Sequence, residues 1–290
     1  MSKKEQASSR VRNRVFLDTN ICIDRASGKI PDDTWEAVRR HLVTDFEYCI
    51  SPLTAQELLY SIENCNAKYF LGNRQRISAL LSPTPVKFLE FPRQFMTREL
   101  HGLAHRVSGE IEAGFLNCFA VIRWVEHKSD LEEPVVLPHM TGEQGFQSSM
   151  SKARDIFVDL QSSYAHAMEA VRARGAHPLN SEAWASSILD YLGLESNPQS
   201  VQATLARFDA AYRFEACLYN LAKNPRYSFA DRDTDLVDCQ QLDYLSDPGM
   251  YFITHDARLR KWIEGSPQAR RVLSLSEFLQ HSDSQFGTRV

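Results

Sequence analysis

Asp18, Glu57, Asp238 and Asp256 lie in four short islands, each a carboxylate set beside an apolar run or a helical turn. The first island is Val15-Phe16-Leu17-Asp18-Thr19-Asn20, and the second is Ser51-Pro52-Leu53-Thr54-Ala55-Gln56-Glu57-Leu58. The third is Asp235-Leu236-Val237-Asp238, and the fourth is Tyr251-Phe252-Ile253-Thr254-His255-Asp256. Carboxylates brought to one point repel one another unless a cation neutralises them. None of the islands contains Lys or Arg. The expected cation is therefore a hard divalent ion, which prefers oxygen ligands and keeps several of its waters. Read singly, each island has a plainer meaning. Asp18-Thr19-Asn20 suits a turn after a strand, Glu57 suits the first turn of a helix, and Asp235 and Asp256 suit helix N-caps.

Such convergence needs a scaffold that points its loops at one place. Open parallel α/β sheets do so, because ligands bind outside the carboxyl ends of their strands. The apolar runs predict strands over Arg14–Asp18, Phe46–Ser51, Val86–Phe91, Met250–Thr254 and Arg271–Leu275. Ile21–Ile30 reads as a loop or short helical turn. Helices are expected over Asp32–Val43, from about Ser51 through Glu57 to Cys65, and over Lys68–Leu81, Asp235–Leu245, Ala257–Glu264 and Glu277–His281. Between Pro92 and about Asn224 the pattern is helical, with almost no strand signal. Candidate helices there are Phe95–Val125, Gly145–Ala173, Ser181–Leu192 and Ser200–Ala222. The expected organisation is a basic N-terminal segment (1–13), an α/β domain from 14–92 plus 228–282, a helical insertion (93–227) and a tail (283–290).

The islands, in order and with this secondary structure, resemble the PIN-domain nucleases. Asp18 and Asn20 match the family's opening strand with D-x-N, and Thr54, Glu57 and Leu58 match its T-x-x-E-L pattern. Asp238 lies eighteen residues before Asp256, and Ile253-Thr254-His255-Asp256 matches the strand that ends in Thr or Ser before the fourth acid. The stretch Val272 to Leu279 resembles the closing strand and helix. The resemblance covers roughly residues 14–92 and 228–282. It implies an α/β/α sandwich around a central parallel sheet, and a metal-dependent nuclease, with ribonuclease the leading activity. A DNA structure-specific endonuclease and a non-catalytic nucleic-acid-binding or scaffold protein are the alternatives. The implied ligands of Mg²⁺ or Mn²⁺ are Asp18, Glu57, Asp238 and Asp256, with Asp235 as an additional candidate. Asp235 and Asp238, three apart, can share a helix face. Asn20 and Thr254 are expected to orient the acids and the water from behind. The physical case agrees, because phosphodiester hydrolysis needs an activated water, neutralised phosphoryl charge and a stabilised leaving oxygen, all of which bound divalent ions supply.

The net charge of −4 argues against a general nucleic-acid-coating protein, but says less about a nuclease whose cations offset its acids. Arg12 and Arg14, in a basic N-terminal stretch, and Arg258, Arg260 and Lys261, just after Asp256, are candidate phosphate contacts. The plainer reading of both groups is solvated charge. RNA is the expected partner, with an antitoxin or a second copy of the chain as further candidates. The six cysteines are scattered with no C-x-x-C pair, and read as free thiols of a reducing, cytoplasmic compartment. No apolar run reaches the roughly 18 residues of a membrane helix. His101 and His105 have a helical i, i+4 spacing but lack the Glu of a zinc-protease motif. His255 is expected to be incidental.

Overall fold

Strand β1 (Arg14–Leu17) is apolar along its length, and Val15, Phe16 and Leu17 are all buried. A strand buried on both faces belongs in the middle of a parallel sheet. The computed structural model, which describes residues 12–63, 67–101, 162–175, 177–229 and 234–286, places it there. On one side β1 pairs with β2 (Glu47–Ile50), which pairs with the short β3 (Lys87–Phe88). On the other side it pairs with β4 (Met250–Ile253), which pairs with β5 (Val272–Leu273). All four pairings are parallel, in the order β3-β2-β1-β4-β5.

Successive side chains on a strand point to opposite faces, and the core divides accordingly. Val15, Leu17, Tyr48, Ile50 and Ile253 pack on one face. There they meet α1 (Thr19–Ala26), α2 (Asp32–Thr44), α3 (Pro52–Glu63), α4 (Ala67–Leu81) and α10 (Leu275–Phe286). Phe16, Cys49, Met250 and Phe252 pack on the other face. Their partners come from α5 (Pro92–His101), α6 (Ser181–Leu192), α7 (Pro198–Leu221), α8 (Thr234–Leu242) and α9 (Ala257–Trp262). Phe16 stacks on Phe252 with ring centroids 4.6 Å apart, and Tyr244 meets Phe16 edge-on and ties its hydroxyl to the Glu90 carbonyl at 2.7 Å. The protein is thus α/β, with a five-stranded parallel sheet between helical layers.

Several elements differ from expectation. Where Ile21–Ile30 is expected as a loop or short helical turn, residues 19–26 form a two-turn helix, with Ile21 and Cys22 buried against the sheet. The third strand shrinks to Lys87–Phe88 at the sheet edge, although Leu89 still donates to the Ile50 carbonyl. The last helix starts at Leu275, two residues early. Ser274 and Glu277 form a reciprocal cap, with Ser274 N donating to Glu277 Oε2 at 2.7 Å and Glu277 N to Ser274 Oγ at 3.3 Å. The helix expected over Asp235–Leu245 tightens to a 3₁₀ turn at Asp243–Ser246. Ser181–Leu192 is helical as expected, and α7 begins two residues before Ser200.

The described helices of segment 93–227 do not stand apart from the sheet. Phe95 of α5, Trp184 and Leu189 of α6, and Phe208, Phe214 and Leu218 of α7 share one apolar core with Phe16 and Phe252. Much of one sheet face is therefore covered by residues whose sequence position suggests an insertion. The candidate helix over 95–125 is described only up to His101, in α5; the rest of it, most of that over 145–173, and His105 lie outside the described residues.

Candidate metal centre

The chain order across the sheet creates a crevice. From β1 the chain goes outward to β2 and β3, and then returns to β4 and β5 on the other side. The helix after β1 packs on one face, through Ile21 and Cys22. The helix after β4 packs on the opposite face, through Leu259. Loops that part in this way open the crevice where open α/β sheets bind ligands. Asp18 follows β1 and Asp256 follows β4, so both stand at that opening.

Asp18 is 5% exposed. It occupies the N-cap position of α1, but its side chain makes no cap hydrogen bond. Instead Oδ2 accepts from Thr254 Oγ1 and from Asn20 Nδ2, both at 2.5 Å. Thr254 Oγ1 in turn accepts from Asn20 Nδ2 at 3.0 Å and from the Asp256 amide at 2.9 Å. Asn20 Oδ1 accepts from the His255 amide at 3.0 Å. The D-x-N and T-H-D segments are thereby locked together across the sheet's switch point. Burial pushes the Asp18 carboxyl up to about 6, with Asp256 adding to the shift and the Thr254 hydroxyl opposing it.

Glu57 reaches the site from α3. One turn earlier, buried Thr54 donates to the Leu17 carbonyl at the end of β1 at 3.2 Å. Gln241 on α8 donates to the same hydroxyl at 3.3 Å. This anchor fixes the helix turn that presents Glu57, whose Oε2 accepts from the Thr19 hydroxyl. Asp238 stands on α8 and is almost wholly buried. Burial first, then the charges of Asp18, Glu57 and Asp256, push it well above the ordinary carboxylate range, against the pull of Arg258. The four acids thus sense one another. Asp256 is also a true helix cap, its Oδ1 accepting from the Leu259 amide at 2.9 Å, so its plain reading and its place at the site hold together.

The absence of Lys and Arg from the islands does not carry over into space. Arg258, two residues past the fourth island, turns back on the acids. Its Nη2 lies 2.9 Å from Asp235 Oδ1, 3.2 Å from Asp238 Oδ2 and 3.8 Å from Asp256 Oδ2. Tyr227 donates its hydroxyl to the other oxygen of Asp235. Asp235 thus has one oxygen hydrogen-bonded by Tyr227 and the other ion-paired with Arg258 without a hydrogen bond, whereas Asp238 faces both Arg258 and the Asp18–Glu57 side. Among the described residues, no group of three or more His, Cys, Asp or Glu side chains is already arranged to hold a metal ion.

The donor set nevertheless fits a hard divalent ion. It offers carboxylate oxygens, and burial first, then neighbouring acids, pushes Asp18 and Asp238 up. An ion that retains waters can engage such acids directly or through them.

The other candidate cations are scattered. Arg14 begins β1, at the end of the strand away from Asp18, and pairs with Asp247 beneath the sheet. Arg12 touches the Val43 carbonyl at 3.4 Å. Arg260 is held by both oxygens of Glu277 at 2.6 Å, and Lys261 is exposed.

Sequence reasoning missed Thr19, Tyr227 and the role of His255. His255 Nδ1 meets Asp24 Oδ2 at 2.7 Å, and Lys29 meets the other Asp24 oxygen at 2.7 Å. Those two hydrogen bonds outweigh burial and hold Asp24 below the ordinary range. His255 thus fastens α1 to the loop after β4. Thr19, inside the D-x-N motif, had a signal. Tyr227 had none. Cys22, Cys49, Cys217 and Cys239 are free thiols. Among the described residues no helix is long and apolar enough to cross a membrane. No protein-family model, no curated protein and no solved structure matches the chain.

Proposed function

We propose that the chain is a metal-dependent nuclease and, on its resemblance to the PIN-domain nucleases, a ribonuclease that hydrolyses phosphodiester bonds. What supports this reading is that Asp18 and Asp256 follow adjacent strands and share the Thr254 hydroxyl, that Thr19 beside Asp18 donates to Glu57, and that Arg258 faces both Asp238 and Asp256. Asp18, Glu57 and Asp238 would hold Mg²⁺ or Mn²⁺, with Asp256 engaged through water. A divalent ion bound there would neutralise phosphoryl charge and acidify the attacking water.

The chain's own residues set the rest. Thr254 and Asn20 keep the Asp18 carboxylate in one orientation, so that it need not reorganise during reaction. Thr19 does the same for Glu57. Asp238 would share in holding the ion, on the side that faces Arg258. Water adds to phosphorus, the P–O bond to the leaving ribose oxygen breaks, and that oxygen takes a proton. The described helices of segment 93–227 cover one face of the sheet, and we assign them the selection of substrate.

The test is an assay with Mn²⁺ on RNA, single-stranded DNA and a small phosphate ester, comparing the wild-type chain with Asp18→Asn. Cleavage of RNA that is lost in the variant supports the reading. Cleavage that survives Asp18→Asn sinks the site, and turnover of the ester alone points to a phosphatase.

A further inference from the structure

Arg258 is built into the acidic cluster more firmly than a solvated arginine would be. Its guanidinium carbon stands 4.8 Å from the centre of the Trp262 ring, one helical turn along α9. Its Nη2 faces Asp235, Asp238 and Asp256 at 2.9, 3.2 and 3.8 Å. Asp235 is itself fully buried, and Tyr227 fixes it from behind. Displacing Arg258 would leave Asp235 buried with a naked charge, which is among the costliest arrangements in a protein interior. On the other side of Asp238, the carboxylates of Asp18 and Glu57 are oriented by Thr254, Asn20 and Thr19, which are neutral donors.

We propose that Arg258 is a resident cation standing where a two-metal carboxylate site would hold its second ion, so that the chain binds a single divalent ion on the Asp18–Glu57–Asp238 side. The inference rests on the reading of these acids as a metal centre. It assigns Asp235 to the arginine rather than to the metal: Asp235 and Tyr227 hold the guanidinium, and Asp238 is shared between guanidinium and ion. Arg258 is then a positioning and charge-balancing residue, and its positive charge is present before any metal arrives. Two-metal sites work by flanking the scissile phosphate with charge on both sides. Here one of the two charges is supplied by the chain.

The experiment is a titration of the full chain with Mn²⁺ alone at pH 8, reading free Mn²⁺ by electron paramagnetic resonance. The expected result is one Mn²⁺ per wild-type chain, one in Arg258→Lys, and two in Arg258→Met, where the vacated side takes an ion. Thermal melts of each variant establish that it is folded, and Arg258→Lys, which keeps the charge, provides the reading should Arg258→Met fail to fold. Two ions in the wild-type chain, or a single ion in folded Arg258→Met, would overturn the proposal while leaving the metal centre intact. No bound Mn²⁺ in the wild type would overturn both. Loss of the single wild-type ion in Asp18→Asn supports both.

Discussion

Replacing Asp18 by Asn removes a charge and keeps the acceptor, so it isolates what the ionised carboxylate costs the fold. Asp18 is 5% exposed, and an amide oxygen at the same place can still accept from Thr254 and Asn20. The carboxyl titrates at about 6 in the folded chain, against an ordinary value of 3.8. Two units at 1.36 kcal/mol each correspond to about 3 kcal/mol of stability withheld once the group ionises. The sign follows from proton counting. Between pH 4 and 6 the folded chain keeps a proton that the unfolded chain has lost, so stability from this group falls as pH rises through that window and stays low above it. Asp18→Asn does not titrate there. In EDTA at pH 8 the variant is expected to be the more stable by up to about 3 kcal/mol, and near pH 4 the difference shrinks toward zero. At an unfolding entropy of about 2.1 cal/mol/K per residue, each kcal/mol moves the Tm of a 290-residue chain by under about 2 °C, so circular-dichroism melts at several pH values resolve the effect. Mn²⁺ at a thousand times its Kd should reverse the order, because it then adds about 4.1 kcal/mol to the chain that binds it. A variant less stable than wild type at pH 8, or a gap that ignores pH, would refute the burial argument.

Three further outcomes are expected. Thr254→Val strips the hydroxyl that serves Asp18, Asn20 and the Asp256 amide; urea denaturation should show a loss of about 1–3 kcal/mol, and kcat should fall with it. Gln268 donates to the Ala206 and Arg207 carbonyls freed where α7 kinks at Phe208; Gln268→Leu should cost about 1–3 kcal/mol yet leave Mn²⁺ affinity unchanged by calorimetry. Arg14→Gln breaks the pair with Asp247 at the far end of β1; it should lower Tm while RNA affinity, measured by fluorescence anisotropy, stays the same.

Much of the sheet was legible because its signals are local. Val15, Phe16 and Leu17 can only be a strand buried on both faces, and Asp18 after them can only stand at its carboxyl end. Thr54 and Glu57, three apart on a helix, announce an anchor and the group it carries. The acids' immediate counter-charge was not legible. Arg258 lies twenty residues from Asp238 in sequence and reads as surface charge until the fold brings the two side chains together. The same holds for Tyr227 and Asp235. The helices of segment 93–227 were readable as helices, but an apolar stripe such as Phe208, Phe214 and Leu218 does not say which surface it covers. Only the pairing with Phe16 and Phe252 shows that it is the sheet itself. The early start of α10 is written in Ser274 and Glu277, a capping pair three residues apart.

The central claim is that Asp18, Glu57 and Asp238 enclose a divalent ion. Anomalous diffraction at the manganese edge, from crystals of the full chain grown with Mn²⁺, tests it most directly. The account predicts one strong anomalous peak among those three carboxylates, with Arg258 still against Asp235. Saturating Mn²⁺ with no peak there, or a peak held only by other residues, would contradict it.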